Sequence, residues 1–184
     1  MTILLLSNNI LGMETTRNEL SPYGKTFFNS LSNYIDKKIY YFGSVQRVDY
    51  FPNDSDIDVN IFTDNESSTL FRIQNFLNID KSKIKKCVIF SHKSKKLVKG
   101  YKINYNDEIH SFKAEILLFN DKYKDDVLFE NTSKVNIPVY ISVLLIILKF
   151  VYHKLHIIPT KLFIRLKHFI METCGKSEIV LVGK

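Results

Sequence analysis

A chain of 184 residues, 45% of them hydrophobic, can bury one good core and is too short for two comfortable domains. Its 26 Lys and Arg against 19 Asp and Glu leave a formal net charge of +7, which favours polyanionic partners such as nucleic acid or nucleotide phosphates. Two distant cysteines, Cys87 and Cys174, without Cys-x-x-Cys or Cys/His spacing, suggest neither a disulfide framework nor a zinc site and suit a reducing, intracellular, cytoplasmic setting.

In chain order, the apolar run Thr2 to Leu6 has no preceding Lys or Arg and breaks at Ser7-Asn8-Asn9, so it does not read as a signal peptide. Ser21-Pro22 caps a predicted helix over Tyr23 to Ile35, with Phe27, Phe28, Leu31 and Ile35 on one side. The β-branched and aromatic run Lys38 to Phe42 reads as a strand ending at Gly43, and Asp56 to Phe62 as a second strand after an irregular segment containing Pro52-Asn53-Asp54. Asn65 to Leu77 follows with helical spacing. Lys86 to His92, Leu97 to Tyr105 and Ile109 to Phe119 are strand-like, and the short turns between them imply antiparallel neighbours.

Pro138 to Leu155 and Pro159 to Thr173 read as two helices with Pro in the first turn, the second stopping at Gly175. The apolar stretch Ile137 to Val151 would span only about 22 Å against roughly 30 Å of hydrocarbon, and contains Lys149, so no membrane partner is expected. The order predicts an α+β fold: a mixed, largely antiparallel sheet of about five strands with helices packed on one face, plus a short C-terminal helical extension. Residues 1–136 would form the core, and residues 137–184 a helical segment packed on it.

Asp56 and Asp58 stand two apart on a strand and project to the same side, while Ile57 and Val59 face the core. At about 6.6 Å along a strand, two ionised carboxylates repel by roughly 2.5 kcal/mol at an effective dielectric of 20. Such a pair calls for a cation, and Mg²⁺, with Mn²⁺ as a substitute, is the hard ion that carboxylates share with substrate phosphates. Glu115, the one acid in the apolar run Phe112 to Phe119, supplies a third carboxylate if its strand lies beside that of Asp58; a solvent-facing residue paired with Lys113 is the other reading. Gly43-Ser44, directly after a strand, permits close backbone approach and offers N–H groups and a hydroxyl to a phosphate.

The pattern strand-Gly43-Ser44, then Ser55-Asp56-Ile57-Asp58-Val59, resembles the signature of the nucleotidyltransferase superfamily, which includes DNA polymerase beta, poly(A) polymerases, oligoadenylate synthases and small bacterial nucleotidyltransferases. Glu115 matches the family's third carboxylate, where Asp is commoner. Leu144 to Tyr152 is similar to the helix that carries a triphosphate-binding lysine in the poly(A) polymerase and oligoadenylate synthase branches, with Lys149 in that place. Ile158 to Leu166 is similar to the Pro-initiated helix that follows. Val45-Gln46-Arg47-Val48 departs from the family, which often has another Gly or Thr there.

The resemblance implies transfer of a nucleoside monophosphate from an NTP or dNTP, ATP among them, to an acceptor hydroxyl, with release of pyrophosphate. Asp56, Asp58 and Glu115 would ligate metal, Glu115 would help deprotonate the acceptor, and Gly43, Ser44 and Lys149 would hold the triphosphate. A nucleic-acid acceptor fits the basic group Lys154, Lys161, Arg165, Lys167 and His168, which reads equally as a solvated helix face. The alternative is a catalytically inactive module of the same fold that binds nucleic acid or a partner protein. A required partner subunit, met by the apolar helices, is a further option.

Overall fold

The computed structural model describes residues 13–173 and 179–182; Thr2 to Leu6, Cys174 and Gly175 lie outside them. Six strands, β1 (Ile39–Phe42), β2 (Ile57–Thr63), β3 (Ile84–Ser91), β4 (Lys96–Asp107), β5 (Phe112–Asn120) and β6 (Ile179–Leu181), form one sheet in the order β1-β2-β5-β4-β3-β6. All pairs are antiparallel except β2 with β5, which run parallel. Among the described residues the helices are α1 (Pro22–Ile35), α2 (Glu66–Leu77), α3 (Lys124–Val135), α4 (Val139–His153) and α5 (Thr160–Glu172). Among the described residues no single helix is long and apolar enough to cross a membrane.

The sheet's alternation sorts side chains into two cores. Phe27, Phe28, Leu31 and Ile35 of α1 and Ile73 and Leu77 of α2 cover Ile57, Val59, Ile61, Ala114, Ile116 and Leu118. Both helices start at caps visible in the sequence: the Ser21 hydroxyl accepts from Gly24 N at 3.1 Å, and Asn65 Oδ1 from Ser68 N at 3.1 Å. On the opposite face Tyr40, Phe42, Phe62, Leu117 and Phe119 pack with Val127 and Leu128 of α3. That second helical layer and β6 add to the expected elements. The α3 sequence KDDVLFENTSKV has too few apolar residues to mark a helix by periodicity, and three-residue β6 is stabilised only by the free edge of β3.

Gly100 makes one close contact in this layer possible. A Cβ there would run into the Phe119 ring and stand 2.7 Å from the Leu118 carbonyl oxygen, which the sheet holds fixed.

A buried ion cluster ties the loop after β1 to α4. Asp49 is fully buried and accepts from Arg47 Nε at 2.7 Å and Arg47 Nη2 at 3.0 Å, a two-point match of guanidinium to carboxylate. Lys149 of α4, itself 3% exposed, lies 3.0 Å from Asp49 Oδ2 and donates to Asp49 O at 2.6 Å and Ser55 Oγ at 3.3 Å. Burial pushes the Asp49 pKa up, but the Arg47 hydrogen bonds and the charges of Arg47 and Lys149 outweigh it and hold the group below its ordinary 3.8. Arg47 Nη1 reaches on to the Lys134 carbonyl at 3.1 Å, so α3 joins the same knot.

Two stability predictions follow from these contacts. Gly100→Ala should cost about 1–3 kcal/mol in urea unfolding by overpacking, and an unchanged midpoint would show that the sheet yields there. Asp49→Ala should cost about 3–5 kcal/mol because it strands two buried cations, and a loss below that of an exposed ion pair, about 1 kcal/mol, would contradict the burial. The Asp49 contribution is present above pH 3.8 and is lost as pH falls below it, since the folded-state pKa is the lower one.

Candidate active site

The end of β1 and the starts of β2 and β5 meet on the α3 side of the sheet. Phe42 pairs with Asp58, Asp58 with Glu115, and Glu115 with Asn104, so β1, β2, β5 and β4 line up at one level. Residues directly paired across neighbouring strands point to the same face. The sequence reading requires the strand of Glu115 to lie beside that of Asp58; the structure places it there, and as a parallel pair. Asp56 lies exposed just before β2, two residues from Asp58.

Gly43 follows immediately in the left-handed region, at φ 72°. A Cβ there would strike the Asp58 carboxylate, with Cγ only 2.9 Å away. Glycine is therefore required twice, by its backbone angle and by the acid packed against it.

Residues Gly43–Gln46 form one short 3₁₀ turn, all four of them buried. Val45 enters the α1 core. Gln46 donates to Thr15 O at 2.6 Å and accepts from Arg17 N at 2.9 Å, while the Asn18 amide donates to Val45 O and Arg47 O at 2.9 and 2.6 Å. The residues that depart from the family pattern thus build a loop braced from the N-terminal side and by the Asp49 cluster.

The electrostatics are those of crowded acids among cations. Burial, then the charge of Glu115, pushes the Asp58 carboxyl up to about 7; Asp56 adds to the rise, while Lys167 and Arg47 oppose it. Glu115 forms an ion pair with Lys102 of β4. Burial lowers the pKa of Lys134 at the end of α3, against the pull of Asp58, Glu115 and Glu130. Asn60, two residues past Asp58 on the same face, is fully buried, and neither of its side-chain polar atoms has a partner among the described residues.

The expected site residues divide in this way. Gly43, Ser44, Asp58 and Glu115 come together, with Asp56 at their edge. Lys149 instead directs its ammonium to Asp49 and Ser55, three contacts for the three donors it possesses. Lys102 was not singled out by the sequence, where it is one of many lysines; only the β4–β5 register places it on Glu115. Lys167, read as part of a basic helix face, sits on α5 close enough for its charge to act on both Asp58 and Lys149.

Among the described residues no group of three His, Cys, Asp or Glu side chains is drawn together tightly enough to hold a metal ion. The donor set nevertheless fits a hard cation, because the Asp58 carboxyl, pushed up by burial and then by the charge of Glu115, gains from a positive charge beside it.

No curated protein matches the chain in sequence. Among solved structures it is similar to a chain in the "structure of GLD-2/RNP-8 complex", at 17% identity and a TM-score of 0.39, over 91% of this chain. The protein spans 62% of that chain's length. The nucleotidyltransferase domain matches residues 24–142, from α1 into α4, a stretch that contains Gly43, Ser44, Asp56, Asp58 and Glu115. With that match covering well over half its length, the chain belongs to the nucleotidyltransferase domain family.

Proposed function

We propose that this protein is a Mg²⁺-dependent nucleotidyltransferase that moves a nucleoside monophosphate from a nucleoside triphosphate to an acceptor hydroxyl and releases pyrophosphate. The observation that carries the reading is the pairing of Asp58 with Glu115 on parallel strands, directly beside a left-handed Gly43. Asp56, Asp58 and Glu115 would hold the ion. When bound, Mg²⁺ or Mn²⁺ supplies positive charge to the triphosphate and makes the acceptor hydroxyl more acidic.

Each protein group then has a defined task. The Gly43-Ser44 turn offers backbone N–H groups and a hydroxyl to the phosphates, and its braced shape means that little order has to be created on binding. Glu115 is the base for the acceptor proton, and Lys102 orients its carboxylate. Lys149 acts through Asp49, fixing α4 against the loop, rather than by touching phosphate. Lys167 on α5 is the cation we assign to the triphosphate in its place.

One observation favours a second reading. The Lys102 ammonium already neutralises Glu115, as it would in a chain that has kept the fold as a binding module and given up catalysis. Calorimetric titration with nucleoside triphosphate, with and without Mg²⁺, separates the two: binding that requires the metal supports the enzyme, and none in either case supports the module.

Asp56→Ala with Asp58→Ala should abolish incorporation of labelled nucleotide while leaving the thermal unfolding midpoint within a few degrees of the parent. Undiminished transfer by that double variant would remove the assignment. Gly43→Ala should lower kcat/KM by about a hundredfold, because the added methyl displaces the Asp58 carboxylate from its working position. A rate within twofold of the parent would show that the contact has no catalytic consequence.

A further inference from the structure

The net charge of this chain is not spread over its surface. Between Asp80 and Lys102 there are nine lysines and one acid, a local net of +8, whereas the whole chain carries +7. The remaining residues together are therefore close to neutral. Repulsion among so many like charges in one hairpin costs stability, and Lys85 even pairs directly across from Lys102. Lys102 is paired with Glu115. The other eight are all exposed, and among the described residues none lies within ion-pair distance of an acid.

Two of these lysines, Lys86 and Lys99, belong to a surface that the core leaves open. On the side of the sheet that carries α1 and α2, the β3–β4 register sets Lys86 opposite Tyr101, Val88 opposite Lys99 and Phe90 opposite Leu97, with Val180 of β6 next to Val88. Lys86, Lys99, Phe90 and Leu97 are exposed there, Leu97 at 64%. A groove of about 470 Å³ is lined by Lys86, Lys99, Tyr101, Lys122 and Tyr123, with Glu66 its one acid. The hairpin is held firmly: the Ser91 hydroxyl donates to Asp126 at 3.0 Å and His92 N to Glu130 at 2.7 Å, both on α3.

We propose that this face of the β3–β4 hairpin binds single-stranded nucleic acid. Cations alternating with aromatic rings on a flat sheet fit a chain of phosphates and unstacked bases. Lys93 and Lys95 lie in the turn, Lys81 and Lys83 at the far end, and Lys85 and Lys96 on the other face of the ribbon, so no single plane holds them as a bilayer surface would require. A flexible strand can follow them. Lys102, on the same strand as Lys99, points to the opposite face, where it pairs with Glu115. The proposal rests on the transferase reading only in treating the strand as the acceptor.

The test is fluorescence anisotropy of the full chain with labelled RNA and DNA single strands, with neither nucleotide nor Mg²⁺ added, as salt is raised from about 50 to about 200 mM. Lys86→Gln with Lys99→Gln should weaken binding about 25-fold at 0.1 M salt and reduce the slope of log affinity against log salt by about 1.4. Phe90→Ala should weaken it about fivefold or more with both strands. Failure of the parent to bind either strand would overturn the proposal, as would unchanged affinity and slope in the lysine variant. It would equally be overturned if these substitutions affected only binding to phosphatidylserine vesicles. A protein that binds strands through this face yet transfers no nucleotide would refute the transferase reading alone. One that extends a strand at full rate with Lys86 and Lys99 replaced would refute this proposal alone.

Discussion

A carboxylate with no access to water, Asp49, holds a guanidinium and an ammonium from two different parts of the chain, and the turn beside the acids takes its position from that contact. Arg47 belongs to the end of the turn that begins at Gly43, and Lys149 to a helix a hundred residues further on. Burying three charges is costly unless each finds its partner, so the cluster has few alternative arrangements. The turn, the loop before β2 and α4 are therefore held in one mutual position. Arg47 extends the same restraint to α3 through the Lys134 carbonyl.

Above this knot the sheet sets the chemistry. The parallel pairing of β2 and β5, the one parallel contact among the described strands, brings Asp58 and Glu115 side by side. Their mutual repulsion and Asp58's burial are sustained by surrounding cations, Lys102 from β4, Arg47 from the loop, Lys134 from α3 and Lys167 from α5. A site surrounded in this way is disposed towards further positive charge at its acids and towards phosphate at its rim.

Local signals in the sequence carry much of this. Ser21 and Asn65 marked two helix starts, and β1 to β5 could be read from β-branched and aromatic runs between turn residues. Gly43-Ser44 and Asp56-Ile57-Asp58 could be read because a strand ending in glycine, and acids alternating with apolar residues, have few other uses. Helix α3 escaped because its buried contribution is chiefly Val127 and Leu128, adjacent residues without a repeating pattern. For Lys149 the helix was legible and the partner was not: in sequence Asp49 looks like any other acid in a polar loop, and nothing local shows that it is buried.

By itself, then, the sequence determined helices α1, α2, α4 and α5, strands β1 to β5, the acid pair and the glycine turn, since each depends on residues within a few positions of one another. It also fixed the concentration of lysines between residues 80 and 102 as a fact of composition. Tertiary structure alone decided that Glu115 stands beside Asp58, that Lys102 rather than Lys113 meets Glu115, that Lys149 is spent on Asp49, and that Lys86 and Lys99 flank an open groove. The physical reason is register. A one-residue slip of a strand turns every side chain to the other face, and that choice is made by the packing of two cores far apart in the chain.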